Sequence, residues 1–211
     1  MTLKGARILL ASGNPKKLKE LNALLSPLGI DLLQPEDVGG LPEVIEDLPD
    51  FKGNAAKKAI SAALTANCWA LADDSGLEVD HLDGAPGVFS ARYAGEHGDD
   101  EANNQKLLVE LKGVPSAQRG ARFVCSLALA RPDGTLAAEI QGTCRGTILE
   151  EMRGDRDFGY DPLFEFAEPG TSAAGKTFAE LDSGAKSSVS HRGRALTELA
   201  IRLKDILATD A

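Results

Sequence analysis

The feature that most constrains the fold is the alternation of short apolar runs with helix-like segments along the chain. The run at residues 6–11, ARILLA, suits a buried strand and ends at a turn-forming Ser-Gly-Asn-Pro cluster. Pro15 fits the first position of a following helix, which leucines at helical spacing predict at residues 16–25. A strand, a tight turn and a helix in this order are typical of an α/β protein.

The same alternation continues towards the C-terminus. We predict further helices at residues 54–65, 99–111 and 193–207 and further strands at residues 30–33, 68–72 and 77–79. Residues 122–130 and 136–146 flank a Pro-Asp-Gly turn and predict a hairpin, so the sheet should be partly antiparallel. Because no repeat or low-complexity segment interrupts residues 1–211, we expect one domain, with two lobes as an option.

Composition limits the classes of function. A net charge of −9 repels polyanions, so a nucleic-acid partner is not expected, although local lysines or a bound cation can still attract a small anionic ligand. The apolar run near the N-terminus is too short for a signal peptide or a membrane span. Three cysteines without metal-ligand spacing predict small core residues, and we expect a cytoplasmic protein without a membrane partner.

The first turn is a candidate anion site. Free backbone N–H groups and the helix dipole attract negative charge at such a position, and lysine adds a point charge. Its residues are Ser12, Gly13, Asn14, Pro15, Lys16 and Lys17. The turn matches neither a Walker loop nor a dinucleotide-binding turn, so an ordinary capped turn is the equal alternative.

A pair of carboxylates gives a sharper signal. Asp73 and Asp74 follow an apolar run and are expected at the end of its strand, where one can ligate Mg²⁺ and orient a water while Ser75 reaches a phosphate oxygen. Because neighbouring strand residues point to opposite faces, we predict Asp74 in the site and Asp73 in a supporting role. An acidic turn is the alternative.

Other polar segments can complete such a site. An acidic loop at residues 35–50 offers further metal ligands, but spacing does not choose among Glu43, Glu46 and Asp47. Before the last predicted helix, a polar stretch holds candidate donors to phosphate or to a purine base, or a solvent-exposed cap. These donors are Lys186, His191 and Arg192. Phe158 and Tyr160 either stack on a base or fill the core.

Taken in order, these motifs resemble the inosine triphosphate pyrophosphatase family, which acts on non-standard purine nucleotides. The resemblance covers nearly the whole chain. It is carried by SGNPKK at residues 12–17, NAAKKA at 54–59, LADDSGLEVDHLDGAPGVFSARYAG at 71–95, FGYDPLF at 158–164 and KSSVSHRGRAL at 186–196. The long central block and the last block are each specific.

The resemblance implies a two-lobed α/β fold with a long twisted mixed sheet flanked by helices, a substrate cleft between the lobes and a homodimer. It implies hydrolysis of ITP, dITP and XTP to the monophosphate and pyrophosphate with Mg²⁺. Asp74 would be the proton acceptor, and Glu46 and Asp74 would bind the metal. The substrate contacts would be residues 12–17, Lys58, Ser75, Phe158, Gly159, Tyr160, Asp161, Lys186, His191 and Arg192.

Two positions depart from the pattern of the family. Gly53 stands where the family commonly has Glu, and Asp157 stands where it commonly has Gly. These departures bear on metal affinity and base preference more than on the reaction. The alternatives are a Maf-like nucleotide pyrophosphatase, whose Ser-Pro-Arg turn differs from SGNPKK, and a nucleotide-binding protein without turnover.

Overall fold

The computed structural model describes residues 6–12, 15–155 and 158–209, in which strands and α-helices alternate as far as the fourth strand and are followed by two further strands and two helices. The strands are β1 Ala6–Leu10, β2 Ile30–Leu33, β3 Ala70–Val79, β4 Gly120–Ala130, β5 Leu136–Ile148 and β6 Phe164–Phe166. The α-helices are α1 Pro15–Leu25, α2 Phe51–Ala66, α3 Asp100–Glu110, α4 Ser183–Val189 and α5 His191–Thr209.

The strands form one mixed sheet in the order β2-β1-β3-β4-β5-β6. Strand β1 is parallel to both of its neighbours: Ala6 pairs with Ile30 of β2, and Leu9 pairs with Ala70 of β3. Strands β5 and β6 are antiparallel. Strands β4 and β5 are joined by the predicted turn, in which Gly134 has a φ of +83° and its N–H donates to the Arg131 carbonyl.

The chain divides into two compact units. The first comprises residues 1–74, 125–141 and 195–211, and the second comprises residues 75–124 and 142–194. Apolar residues build a core within each unit. In the first unit the leucines of β1 and α1 pack with α5, and a second group consists mainly of alanines from α2, β3 and β4. The second unit has an aromatic core around Phe123, Phe164 and Phe178.

The predicted starts of two helices and the predicted limits of one strand are wrong. Helix α2 begins at Phe51 because the side chain of Asp50 accepts a hydrogen bond from the Gly53 N–H and so caps the helix before Asn54. The final helix begins at His191, and most of the polar stretch before it forms the short helix α4. The strands predicted at residues 68–72 and 77–79 belong to one continuous strand, β3, which begins at Ala70 rather than at Cys68.

The cysteines largely follow the expectation from the sequence. All three are free thiols; Cys125 and Cys144 are buried, whereas Cys68 is only partly buried. Within the described part of the chain, no helix combines the length and the apolar character that crossing a bilayer requires.

Candidate active site

Strand β3 carries the predicted pair of carboxylates within its length. The expectation that Asp73 and Asp74 lie at a strand end is wrong, since β3 continues through Ser75 to Val79. Both aspartates are buried, with 1% and 6% of their surface exposed. A buried carboxylate needs a charged or hydrogen-bonding partner, so the interacting groups indicate what each aspartate does.

Asp74 shares a lysine with the acidic loop. Lys58 Nζ donates to Glu46 Oε1 at 2.7 Å and lies 3.4 Å from Asp74 Oδ1. Of the three candidate acids, Glu46 is the one that shares a lysine with Asp74, because Asp47 pairs instead with Lys57 at 2.7 Å and Glu43 is exposed. We call Glu46, Lys58 and Asp74 the carboxylate–lysine cluster.

Local contacts hold the loop that presents Glu46. The side-chain oxygen of Asn54 accepts a hydrogen bond from the Leu48 N–H at 3.1 Å, and its amide nitrogen donates to the Leu48 carbonyl at 3.3 Å. Asn54 is 1% exposed in the first turn of α2, one helical turn before Lys58. It thus ties the backbone two residues after Glu46 to the helix that carries Lys58. Asn54 is not among the predicted site residues, although a polar residue near the start of an alanine-rich helix, beside an acidic loop, is a usable signal.

Burial and charge shift the pKa of two members of the cluster in the same direction. Burial raises the pKa of Asp74; the ammonium of Lys58 opposes this shift, and the carboxylate of Glu46 adds to it. Burial lowers the pKa of Lys58, but the attraction of Asp74, Asp73 and Glu46 outweighs it, so the net shift is upward. Lys58 is therefore a cation at neutral pH.

The donor set fits a divalent cation of the magnesium type. Oδ2 of Asp74 is buried, and no described residue donates a hydrogen bond to it. Glu46 and Asp74 already converge on one positive charge, the ammonium of Lys58. Among the described residues, no three His, Cys, Asp or Glu side chains gather as a metal centre. Magnesium does not require one, because it commonly uses one or two carboxylates together with waters and substrate phosphates.

Asp73 has a different partner. Its Oδ2 lies 2.9 Å from Nζ of Lys17, in the first turn of α1. This ion pair links β3 to the helix that follows the predicted anion turn. Ser12 lies at the end of β1, whereas Gly13 and Asn14 lie outside the described residues, as do the side chains of Pro15 and Lys16.

In the second unit, Lys186 of α4 contacts the segment at residues 158–161. Its ammonium forms an ion pair with Asp161, which is 4% exposed, and lies 5.2 Å from the centre of the Phe158 ring. Tyr160 of this segment is a core residue, and its hydroxyl donates to the Ser90 carbonyl at 2.9 Å. For Tyr160 the core alternative is thus the better description.

His191 and Arg192 form the first turn of α5. Nη2 of Arg192 donates to Oγ of Ser75 at 3.0 Å. The His191 ring stacks on Phe123, with 4.7 Å between ring centres and 15° between planes. Its Nδ1 lies 4.0 Å from Sγ of Cys144. The exposed-cap alternative for His191 is wrong, since only 6% of its surface is exposed.

Known proteins resemble this chain along nearly its whole length. A model of the Ham1 family matches residues 8–201. A dITP/XTP pyrophosphatase of Desulforamulus reducens is 51% identical over 190 residues, which make up 90% of this chain and 92% of that protein. A second relative with the same name, from Geobacter sulfurreducens, is 51% identical over 193 residues, or 92% of this chain and 94% of that protein.

Solved structures agree with the fold. A HAM1 protein from Coxiella burnetii is similar with a TM-score of 0.85 and 38% identity, over 95% of this chain and 99% of that chain. This similarity confirms the predicted α/β class with a mixed sheet flanked by helices.

Proposed function

This chain belongs to the Ham1 family, and we propose that it hydrolyses ITP, dITP and XTP to the nucleoside monophosphate and pyrophosphate. The relatives named dITP/XTP pyrophosphatase, at about half identity over most of the chain, support the substrate class and the predicted family resemblance. The observation that carries the mechanism is the carboxylate–lysine cluster, in which Lys58 lies between Glu46 and the buried Asp74.

We assign the proton acceptor to Asp74. The attacking water gives its proton to this carboxylate while its oxygen bonds to the α-phosphorus, and the bond from that phosphorus to the bridging oxygen of the β-phosphate breaks. Oδ1 of Asp74 faces Lys58, and Oδ2 receives no hydrogen bond from a described residue, so Oδ2 has one lone pair for the cation and another for the proton.

Glu46 and Asp74 are the residues that would hold the divalent cation, which we propose to be Mg²⁺. When bound, the cation supplies positive charge to phosphate oxygens and so offsets the charge that develops on the leaving pyrophosphate. The lysines act in the same sense. Lys58 neutralises charge beside Asp74, and Lys17 adds a second ammonium at the first turn of α1, next to the anion turn at residues 12–16.

Selection of the base is assigned to residues of the second unit. Lys186, His191 and Arg192 are donors suited to the 6-oxo group of hypoxanthine or xanthine. Adenine would present its amino group to a donor there, which leaves buried groups unpaired. Phe158 offers a ring for stacking. The proposed contacts also include Ser75, Gly159 and Asp161. Ser75 accepts a hydrogen bond from Arg192, and Asp161 forms an ion pair with Lys186.

The family resemblance also leads us to propose a homodimer in the cytoplasm. The dimer is tested by sedimentation equilibrium of the purified chain. A monomer at micromolar concentration would contradict this proposal without affecting the proposed reaction.

The test of function is pyrophosphate release from ITP, XTP, GTP and ATP with Mg²⁺. We expect fast release from ITP and XTP and slow release from the other two. Asp74→Asn should abolish release, because an amide does not accept the proton. Glu46→Gln should raise the Mg²⁺ concentration needed for half-maximal rate, whereas the matched change Asp47→Asn should not, because Asp47 pairs with Lys57 at the surface.

Each outcome bears on a separate part of the proposal. Equal rates on all four nucleotides would overturn the base selectivity. An active Asp74→Asn variant would overturn the role of Asp74, and equal Mg²⁺ requirements for the Glu46 and Asp47 variants would overturn the metal assignment.

A further inference from the structure

Helix α3 makes hydrogen bonds to both the N–H and the carbonyl of Gly159, in the segment at residues 158–161. The N–H of Gly159 donates to Oδ2 of Asp100 at 2.8 Å. The carbonyl of the same glycine accepts a hydrogen bond from Nδ2 of Asn104, also at 2.8 Å. Asp100 and Asn104 lie one helical turn apart on α3, so two side chains on one face of a helix fix both polar groups of a single residue.

Helix α3 does not need Asp100 as its cap. The side chain of Asp99 already caps the helix by accepting a hydrogen bond from the Ala102 N–H at 2.9 Å. The carboxylate of Asp100 is thereby available for Gly159. In the same first turn, the exposed Glu101 adds negative charge at the helix N-terminus without contact to Gly159 in the described structure.

Asn104 is also unusual for its position. It is 2% exposed and shares the buried face of α3 with Leu107. An apolar residue would pack there without the cost of burying an amide, and asparagine is a weak helix former. Its amide nitrogen donates both to the Asp100 carbonyl, at 2.9 Å, and to Gly159. Both of its N–H groups therefore have partners, and one of them lies in the distant loop.

The segment that is held carries two of the groups around Lys186. Phe158 precedes Gly159 and places its ring 5.2 Å from the Lys186 ammonium, and Asp161 forms the ion pair with that ammonium. Gly159 has a φ of +56°, a backbone conformation that side chains rarely adopt. The orientation of Phe158 and Asp161 therefore depends on how the backbone of Gly159 is held.

We propose that Asp100 and Asn104 are positioning residues for nucleotide binding: they fix Gly159 and so set the placement of Phe158 and Asp161 against Lys186. The inference rests on the proposed function of this segment as a base contact. Neither residue needs to touch the substrate. Their contribution is expected in affinity for the nucleotide, because the carboxylate–lysine cluster that carries the chemistry lies elsewhere, on α2, on β3 and on the loop before α2.

The test compares Asp100→Ala with Asp100→Asn and Glu101→Ala. Asp100→Ala removes the acceptor and should raise KM for ITP about tenfold, with kcat changed less than about twofold. Asp100→Asn removes the charge but retains an amide oxygen that accepts from the Gly159 N–H, so it should restore KM to within about twofold of the parent. Glu101→Ala removes an equal charge from the same turn and should leave KM unchanged. Asn104→Leu keeps the branched shape of the side chain but removes the amide that donates to Gly159, and it should raise KM as Asp100→Ala does.

A second measurement does not depend on activity. Amide hydrogen exchange at residues 158–161 should be faster in Asp100→Ala than in Glu101→Ala and in the parent chain. Unchanged exchange, an unchanged KM in Asp100→Ala, or equal KM values for the alanine and asparagine variants would overturn the inference. If the parent chain released no pyrophosphate from ITP, the proposed function would fail. If exchange nevertheless changed as expected, the hydrogen bonds of Asp100 and Asn104 to Gly159 would stabilise the fold only, and the positioning role in nucleotide binding would be overturned as well.

Discussion

Nζ of Lys58 lies 2.7 Å from Oε1 of Glu46, and the same ammonium lies 3.4 Å from Oδ1 of Asp74. Its neighbour Lys57 makes a similar pair with Asp47, also at 2.7 Å, but this pair is at the surface. Two adjacent lysines of α2 thus bind two adjacent acids of the preceding loop. Lys58 also reaches the buried strand β3, and this third contact distinguishes the two pairs.

Replacing each lysine by methionine separates these pairs. Lys58→Met should lower kcat/KM for ITP about a hundredfold, because a preorganised cation beside the reacting phosphate contributes on that order. Lys57→Met should change it less than about twofold, since its side chain is 40% exposed and its ion pair is worth little. Steady-state pyrophosphate release by both variants is the measurement. Equal losses in the two variants would show that Lys58 has no special role.

A second prediction concerns the approach of helix α4 to the start of α5. An ideal Cβ on Gly193 would lie 1.7 Å from the Ser187 carbonyl oxygen, a backbone atom that does not rotate away. Gly193→Ala should therefore destabilise the fold by about 3 kcal/mol. It should also displace His191 and Arg192, which precede this glycine in the same turn. Urea unfolding and KM for ITP check the two effects.

The matched control is a glycine on the other helix. A Cβ on Gly184 of α4 would meet only the capping oxygen of Asp182, at 3.4 Å. Gly184→Ala should be neutral or stabilise the protein by up to about 1 kcal/mol, because alanine loses less backbone entropy in a helix. A Gly193→Ala variant as stable as Gly184→Ala would contradict the close approach of α4.

The sequence predicted the elements whose signal is local. Strand β2 matches its predicted limits, and α1 begins at Pro15 as expected, because apolar periodicity and a proline at the first turn act within a few residues. The break expected between residues 72 and 77 was wrong. Aspartates disfavour a strand locally, but here each has a lysine partner, Lys17 or Lys58, that lets β3 continue through them.

The candidate site was predictable as a set of residues but not as a set of contacts. The choice of Glu46 over Asp47 depends on which lysine each acid meets, and spacing in the sequence does not determine this. Asn54 and Asp100 act through hydrogen bonds to the backbone of other segments, which leave no pattern in their neighbours. A polar residue at a helical position that faces the core, as at Asn104, is the signal that could have identified such residues.

The thiols should differ in reactivity. Burial raises the pKa of Cys144 to about 12, and burial also raises the pKa of the less enclosed Cys68. A raised pKa leaves the thiol protonated near pH 8, and the protonated form is a poor nucleophile. We expect iodoacetamide to modify Cys68 slowly and Cys144 only after addition of denaturant, as read by peptide mass spectrometry. Rapid labelling of Cys144 in the native protein would contradict its enclosed position beside His191.

The last prediction concerns acid stability of the second unit. Glu168 accepts two hydrogen bonds from the guanidinium of Arg194, at 2.9 and 2.7 Å, and one from the Arg145 N–H at 2.9 Å. The Arg194 contact is the main cause that lowers the pKa of Glu168 below its ordinary value near 4.5. A carboxylate whose pKa is lower in the folded state than in the unfolded state stabilises the protein at pH values above its ordinary pKa. This stabilisation is lost as the pH falls through the folded-state pKa.

Glu168→Gln should therefore reduce the free energy of unfolding by about 1 kcal/mol at pH 7, a value typical of a half-exposed bidentate pair. The difference from the parent should shrink as the pH falls below about 4.5 and disappear once the carboxylate of the parent is protonated. Urea unfolding between pH 3 and pH 7 measures this difference, with the exposed Glu101→Gln as the control that should show a smaller effect at every pH. A difference that stayed constant with pH would mean that Glu168 stabilises the fold by packing, since the ionised pair with Arg194 exists only above the folded-state pKa.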